Sequence, residues 1–199
     1  KISYIDIRNQ IISGWPVFLS NLSTIIIGNG AIIVLGFFVS TEKIGDYSIA
    51  EKILFAIWSI LSLFSQAIYP YACRMAKQSH AHLRRFIWYT CIPFTIFITL
   101  LCGILFAFSS EIIFLISGKS NLVSISVLRI LSIVPLIVCL NIPAYQTLLA
   151  YDMKRSYATV FYIISIVNLA FTFIMVRWNG LMGAAQSMVV VQLVLTISL

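Results

Sequence analysis

Glu51, Lys52 and Arg129 stand one to two turns inside stretches of the chain that are otherwise apolar. A charge at the centre of a membrane helix costs about 2.5–3.5 kcal/mol, and less near the ends, where long side chains snorkel to the interface. Two roles fit such residues. One is structural: snorkelling, or a Glu51–Arg129 pair. The other is a cationic lining, in which Lys52 and Arg129 meet a phosphate or an acidic sugar while Glu51 sets the local charge or accepts a proton. Neutral polar residues recur beside them at helical spacing: Asn21, Thr24 and Gly28, then Lys52, Ser59, Ser62 and Gln66, then Arg129, Ser132, Cys139, Pro143 and Gln146. Such stripes must turn away from lipid, because an unsatisfied polar group in hydrocarbon is costly. They serve either as contacts between helices or as the wall of a water-filled cavity, with Asn21, Gln66 and Gln146 as candidate contacts.

Other chemistry is absent from the pattern. Ser117-Gly118-Lys119-Ser120 resembles the tail of a phosphate-binding loop, but Ile113 stands where that loop needs its first glycine. His80 and His82 lie in a basic segment without the further ligands a metal would require. Cys73, Cys91, Cys102 and Cys139 are widely spaced and read as small buried hydrophobes. No nucleophile, base and acid can be assembled from the pattern, so neither a cofactor nor an enzyme is expected.

The elements that would position the charged residues follow from composition. Of 199 residues, 61% are hydrophobic and 10% charged, against roughly 25% charged in a soluble domain; the mean hydropathy is +1.03. At about 20 apolar residues per membrane span, the sequence predicts an all-α membrane protein, a single bundle of six transmembrane helices. Their expected limits are 15–39, 47–71, 86–108, 126–149, 156–176 and 180–199, with an interfacial turn over 109–125. Pro93, Pro135 and Pro143 fall within spans, where each removes a backbone hydrogen bond and can serve as a hinge. The chain lacks an initiator methionine and stops within an apolar run at Thr196-Ile197-Ser198-Leu199, so a piece of a longer membrane protein is expected.

Basic residues orient the bundle. Lys1, Arg8, Arg74, Lys77, Arg84, Arg85, Lys154 and Arg155 fall on one side, and Lys43, Lys119 and Arg177 on the other. The positive-inside rule places the first group, and both termini, in the cytoplasm. The net charge of +7 is thereby a topology signal, and a nucleic-acid partner is not needed to explain it.

Gly14-Trp15-Pro16-Val17-Phe18-Leu19-Ser20-Asn21, Leu35-Gly36-Phe37-Phe38 and Ile44-Gly45-Asp46-Tyr47-Ser48-Ile49-Ala50-Glu51-Lys52-Ile53 together resemble the O-antigen and polysaccharide repeat-unit flippases (the Wzx type). So do Gln66-Ala67-Ile68-Tyr69-Pro70-Tyr71, Leu128-Arg129-Ile130-Leu131-Ser132 with Pro135, and Gly180-Leu181-Met182-Gly183-Ala184-Ala185. The matches run in order along almost the whole chain. Those flippases belong to the multidrug/oligosaccharidyl-lipid/polysaccharide exporter superfamily. The resemblance implies two six-helix bundles around a central cavity, with this chain as the carboxy-terminal one. It implies movement of an undecaprenyl-diphosphate-linked oligosaccharide across the bacterial inner membrane by alternating access, with a proton or sodium ion as coupling ion and other polysaccharide-assembly proteins as partners. Charged cavity residues matter in the family, which by position singles out Glu51, Lys52 and Arg129. Two alternatives stay open: a membrane-embedded glycan polymerase or ligase, which would be expected to carry a large loop, and a drug exporter of the same superfamily, which would favour an acidic cavity.

Overall fold

The computed structural model describes residues 4–119, 121–151 and 154–198, without the side chains of residues 4–13, 16–17, 20 and 154–157. Lys1 and the side chains of Arg8, Pro16, Lys154 and Arg155 therefore lie outside the described residues. The elements are α1 (Tyr4–Leu35), α2 (Thr41–Gln78), α3 (His80–Ala107), α4 (Ser109–Ser117), α5 (Leu122–Leu131), α6 (Val134–Ala150) and α7 (Lys154–Ser198). No strand occurs among the described residues. Four stretches are long and apolar enough to cross a membrane: Thr41–Gln78, His80–Ala107, Leu122–Ala150 and Ala158–Ser198. The chain is an all-α membrane protein, as composition predicts.

Local chemistry sets the helix ends. Ser79, extended at φ −171°, ends α2 and caps α3 by accepting from the Ala81 amide at 3.1 Å. Asn121 caps α5 in the same way through the Val123 amide, at 3.0 Å. Where a turn was expected over 109–125, Ser109–Ser117 forms a short helix that Gly118 ends in the left-handed region (φ 67°). The serine of the apparent phosphate-loop tail is engaged there: Ser117 Oγ lies 2.7 Å from the carbonyls of Ile113 and Lys119.

One expected span is interrupted, and one expected boundary has a clear physical cause. The expected helix over 126–149 breaks at Ser132 and Ile133. Pro135 has no amide hydrogen to offer the Leu131 carbonyl, and Ser132 turns its hydroxyl back onto the Arg129 carbonyl at 2.7 Å. In α7, Gly180 takes φ 56° and ψ −130°, which no side chain adopts without strain. A continuous helix would part Thr172 and Ser187 by about 22 Å, yet their hydroxyls lie 3.0 Å apart. The element is thus a hairpin, with arms α7a and α7b before and after Gly180. Gly183 makes it possible: a Cβ there would sit 2.0 Å from the Met175 carbonyl oxygen.

Packing follows from small residues and apolar clusters. Leu35, Tyr47, Leu54, Val127, Leu131 and Ala184 form the core at one end; Leu61, Ile68, Leu83, Ile87, Ile98 and Cys139 form it between α2, α3 and α6. A Cβ on Gly30 would meet the Leu169 side chain at 3.2 Å, so glycine lets α1 lie against α7a. Leu63, Leu100, Leu115 and Ile197 stay exposed, as lipid-facing residues do. Gly183→Leu is expected to lower the thermal unfolding temperature of the detergent-purified protein, or to abolish a monodisperse fold. Gly103→Ala, with open space around it, should leave that temperature unchanged or slightly higher.

Candidate functional site

The helices enclose a cavity of about 260 Å³ between α1, α2, α6 and α7, room for about eight waters at roughly 30 Å³ each. Helical periodicity builds it. Val138, Asn141, Ile142 and Tyr145 follow one another at three- and four-residue steps and put one face of α6 on the cavity; Trp58, Leu61, Ser62, Ser65 and Gln66 do so from α2. Thr24 and Ile27 come from α1, and Phe161, Gln192 and Leu195 from the two arms of α7. Among the described residues the polar lining is made of amides and hydroxyls, without a charged side chain, set among the aromatic rings of Trp58, Tyr145 and Phe161.

Asn141 is the chemically unspent group. It is 7% exposed, and neither Nδ2 nor Oδ1 has a hydrogen-bond partner among the described residues. An orphaned buried amide costs about 1–3 kcal/mol, so something the cavity holds must meet it. Gln146, further along α6, is half engaged: its Nε2 lies 2.7 Å from both the carbonyl and the hydroxyl of Ser65, tying α6 to α2, while its Oε1 has no partner among the described residues. Gln66 Nε2 donates to Ser62 Oγ at 3.0 Å, leaving its oxygen end for the cavity. Behind the cavity, Thr172 Oγ1 lies 3.2 Å from Asn168 Oδ1, and Ser165 Oγ 3.4 Å from Ser23 Oγ. The first bond lies within one arm of α7, and the second joins α7 to α1.

The charged candidates lie elsewhere. Glu51 is 2% exposed and, like its neighbour one turn back, Tyr47, keeps an oxygen without a partner among the described residues. Lys52 is exposed on the other side of the same turn. Arg129 is exposed and donates from Nε to Ser109 Oγ at 2.9 Å, with its guanidinium 6.0 Å from the centre of the Phe106 ring. A hydrogen bond from Ser110, then its own backbone amide and Arg129, hold the nearby Glu111 carboxyl below its ordinary value. No Glu51–Arg129 ion pair occurs among the described residues. All three candidates sit at the end of the bundle away from His80. Of the neutral candidates, Gln66 lines the cavity, Gln146 braces it and Asn21 is exposed on α1. Pro93 is exposed on α3, Pro135 is buried at the start of α6, and Pro143 stands inside α6 on the side away from the cavity.

Sequence reasoning missed Asn141, Gln192 and Ser65. A stripe carried through from Arg129 selects Cys139 and Pro143, which lie on the face of α6 opposite Asn141 and Tyr145. The available signal was simpler: Asn141 and Gln192 are lone amides inside uninterrupted apolar runs.

Residues 1–76, which hold α1 and nearly all of α2, match the family described as polysaccharide biosynthesis protein. Over 206 aligned positions the chain is 25% identical to a protein of Escherichia coli (strain K12) named "Putative O-antigen transporter", covering 98% of this chain and 47% of that protein. The chain thus spans about half the length of the curated relative it matches. No solved structure matches it.

The two amides should part company on substitution. Asn141→Leu removes an orphan and is expected to hold or raise the thermal unfolding temperature in detergent, by up to about 1–3 kcal/mol of stability. Gln146→Leu strips Ser65 of its partner and should lower it by a similar amount.

Proposed function

This chain is a relative of the polysaccharide biosynthesis proteins and of an O-antigen transporter, and from that premise we propose that it is the carboxy-terminal bundle of a lipid-linked oligosaccharide flippase. The observation that carries the reading is the neutral cavity and the face on which it opens. Thr24, Ser62 and Gln66 line the cavity and are exposed, and Asn141 waits inside it without a partner among the described residues. Exposed amides and hydroxyls cannot face lipid tails, so this side of the bundle faces water, a second bundle, or a polar cargo held between the two.

The mechanism is solvent replacement. A glycan joined to a polyprenyl chain by a diphosphate is strongly hydrated at one end, and bare hydrocarbon would strip that hydration. Amide groups such as Asn141, Gln66 and Gln192 offer donors and acceptors to sugar hydroxyls, while the rings of Trp58 and Phe161 cover the apolar faces of a sugar, in the usual division of labour of a binding pocket. Lys52 and Arg129, exposed away from the basic end, meet the diphosphate as it reaches the far leaflet. Asn21 extends the polar face of α1, and Gln146 keeps the cavity wall in place. Glu51, next to Lys52, is the group that a proton or sodium ion would engage if transport is ion-coupled. Pro93, Pro135 and Pro143 are the points about which the bundle flexes during alternating access. The basic end lies in the cytoplasm, the membrane is the bacterial inner membrane, and no covalent bond of the cargo changes. Glycan polymerases and ligases, as membrane-bound neighbours in the same process, are its natural partners.

The test uses the full-length protein in cells that depend on it for surface glycan. Lys52→Ala with Arg129→Ala is expected to cut surface glycan by about tenfold or more, the equivalent of losing one to two charge-assisted contacts. Asn141→Leu should cut it as well, although the folded protein remains in the membrane at its normal level. Unchanged glycan in both variants would sink the reading. So would export of cationic drugs that survives both changes while glycan is unaffected. Loss of polymer length with normal delivery of single repeat units would favour a polymerase.

A further inference from the structure

A second, larger hollow of about 790 Å³ lies between α3 and α6. It shares no residue with the cavity of Asn141: the two occupy opposite faces of α6. We propose that this groove binds an anionic glycerophospholipid, with the phosphate on Arg84 and His80 and one acyl chain lying along α3. The inference goes beyond the transport reading and requires only that the chain spans a membrane.

The groove is apolar although three threonines line it. Thr95, Thr99 and Thr147 each return their hydroxyl hydrogen to the carbonyl four residues earlier, at 2.7–2.8 Å. What they present to the groove is methyl. Leu83, Ile87 and Cys91 make a buried floor, and Trp88, Ile92 and Leu140 an exposed rim. Pro143 and Ala144 are the short side chains that leave room on the α6 side. A surface like this in hydrocarbon is filled by a chain, not by water.

Charge identifies the headgroup. One end of the groove carries His80, whose Nδ1 is hydrogen-bonded with the Tyr151 hydroxyl, and Arg84, which makes no ion pair among the described residues. Arg85 stacks over Tyr89 beside it, 5.5 Å from the ring centre. That end is also the start of the 28-residue helix α3, where the helix dipole favours an anion. Basic residues at a membrane surface select anionic lipids.

Length identifies the tail. From Arg84 to Thr99 the helix rises about 22 Å, against about 15 Å for one leaflet of a 30 Å hydrocarbon core. The groove therefore takes a chain that starts in the leaflet of its own headgroup and reaches to the middle of the bilayer or just past it. A polyprenyl chain several times longer would overrun it, which separates this lipid from the proposed cargo.

The test is native mass spectrometry of the full-length protein, released from detergent after mixing with equal amounts of phosphatidylglycerol and phosphatidylcholine of matched chains. Wild type is expected to retain one phosphatidylglycerol with roughly fivefold preference, and to unfold at a higher temperature when that lipid is present. Arg84→Ala should bring the preference to near one, and Ala144→Phe should reduce retention of both lipids. Equal retention of the two lipids by wild type, or an unchanged preference in Arg84→Ala, overturns the proposal. So does displacement of phosphatidylglycerol by polyprenyl phosphate at equal concentration, which would make the groove part of the cargo path. The last outcome leaves the flippase reading standing, whereas loss of glycan export in the cavity variants is decided separately.

Discussion

Hydrocarbon offers no hydrogen bonds, and this chain is arranged around that fact. Each polar group in a span must find a partner inside the protein or face something other than lipid. Most find partners on their own helix: Ser23, Ser59, Thr90 and Thr99 all donate to a carbonyl four residues back. A smaller set crosses between helices. Gln146 reaches Ser65, Ser124 reaches the Asp46 carbonyl at 3.0 Å, and Thr172 meets Ser187. These cross-links are sparse, so each one does much to fix which faces meet. In a membrane, association gains little from burying apolar area, and such bonds together with close approach at Gly30 and Gly183 take over that role.

Against this background the exceptions are informative. Asn141, with both amide atoms unpartnered among the described residues, faces the cavity; Glu51 and Tyr47 keep unpartnered oxygens near the other end. For Asn141 a leucine would remove the orphaned amide. The presence of these groups therefore asks for a role outside folding. In Asn141 that role has a place to act, since the cavity beside it is lined by Gln192, Gln66 and Ser62. For Glu51 the structure supplies burial and the neighbouring Lys52 on the opposite face, without a cavity.

Much of the fold was legible because it follows from composition. Charge-free stretches mark the spans, and α2 and α3 lie where they were expected with extra turns at the ends. The break at Ser132 was not legible in that way: it depends on a proline three residues on and on a serine that folds back, and either alone would be read as a kink. The turn at Gly180 falls between the expected spans 156–176 and 180–199, but its backbone angle is not announced by composition. The site suffered more than the fold. Charged residues attract notice because they are costly, but the described lining of the cavity is neutral, and its face on α6 is opposite the stripe read from Arg129. Gln66 lines the cavity together with Ser62, its partner on the same α2 stripe.

The two hollows on either side of α6 divide an amphiphile's needs between them. One face of that helix carries Asn141 and Tyr145 into a partly polar space; the other carries Cys139, Leu140 and Pro143 along an apolar trough with Arg84 at its mouth. A single helix can do this only because its apolar residues do not need to form one continuous core. Pro143 sits where the two demands meet: it has no amide hydrogen for the Cys139 carbonyl, which loosens α6 two residues from Asn141, while the Thr147 hydroxyl adds a bond to the Pro143 carbonyl at 2.8 Å. What lies in the trough then bears on the helix that presents Asn141. A lipid held there would brace α6 from behind, and its departure would leave the proline turn free to bend.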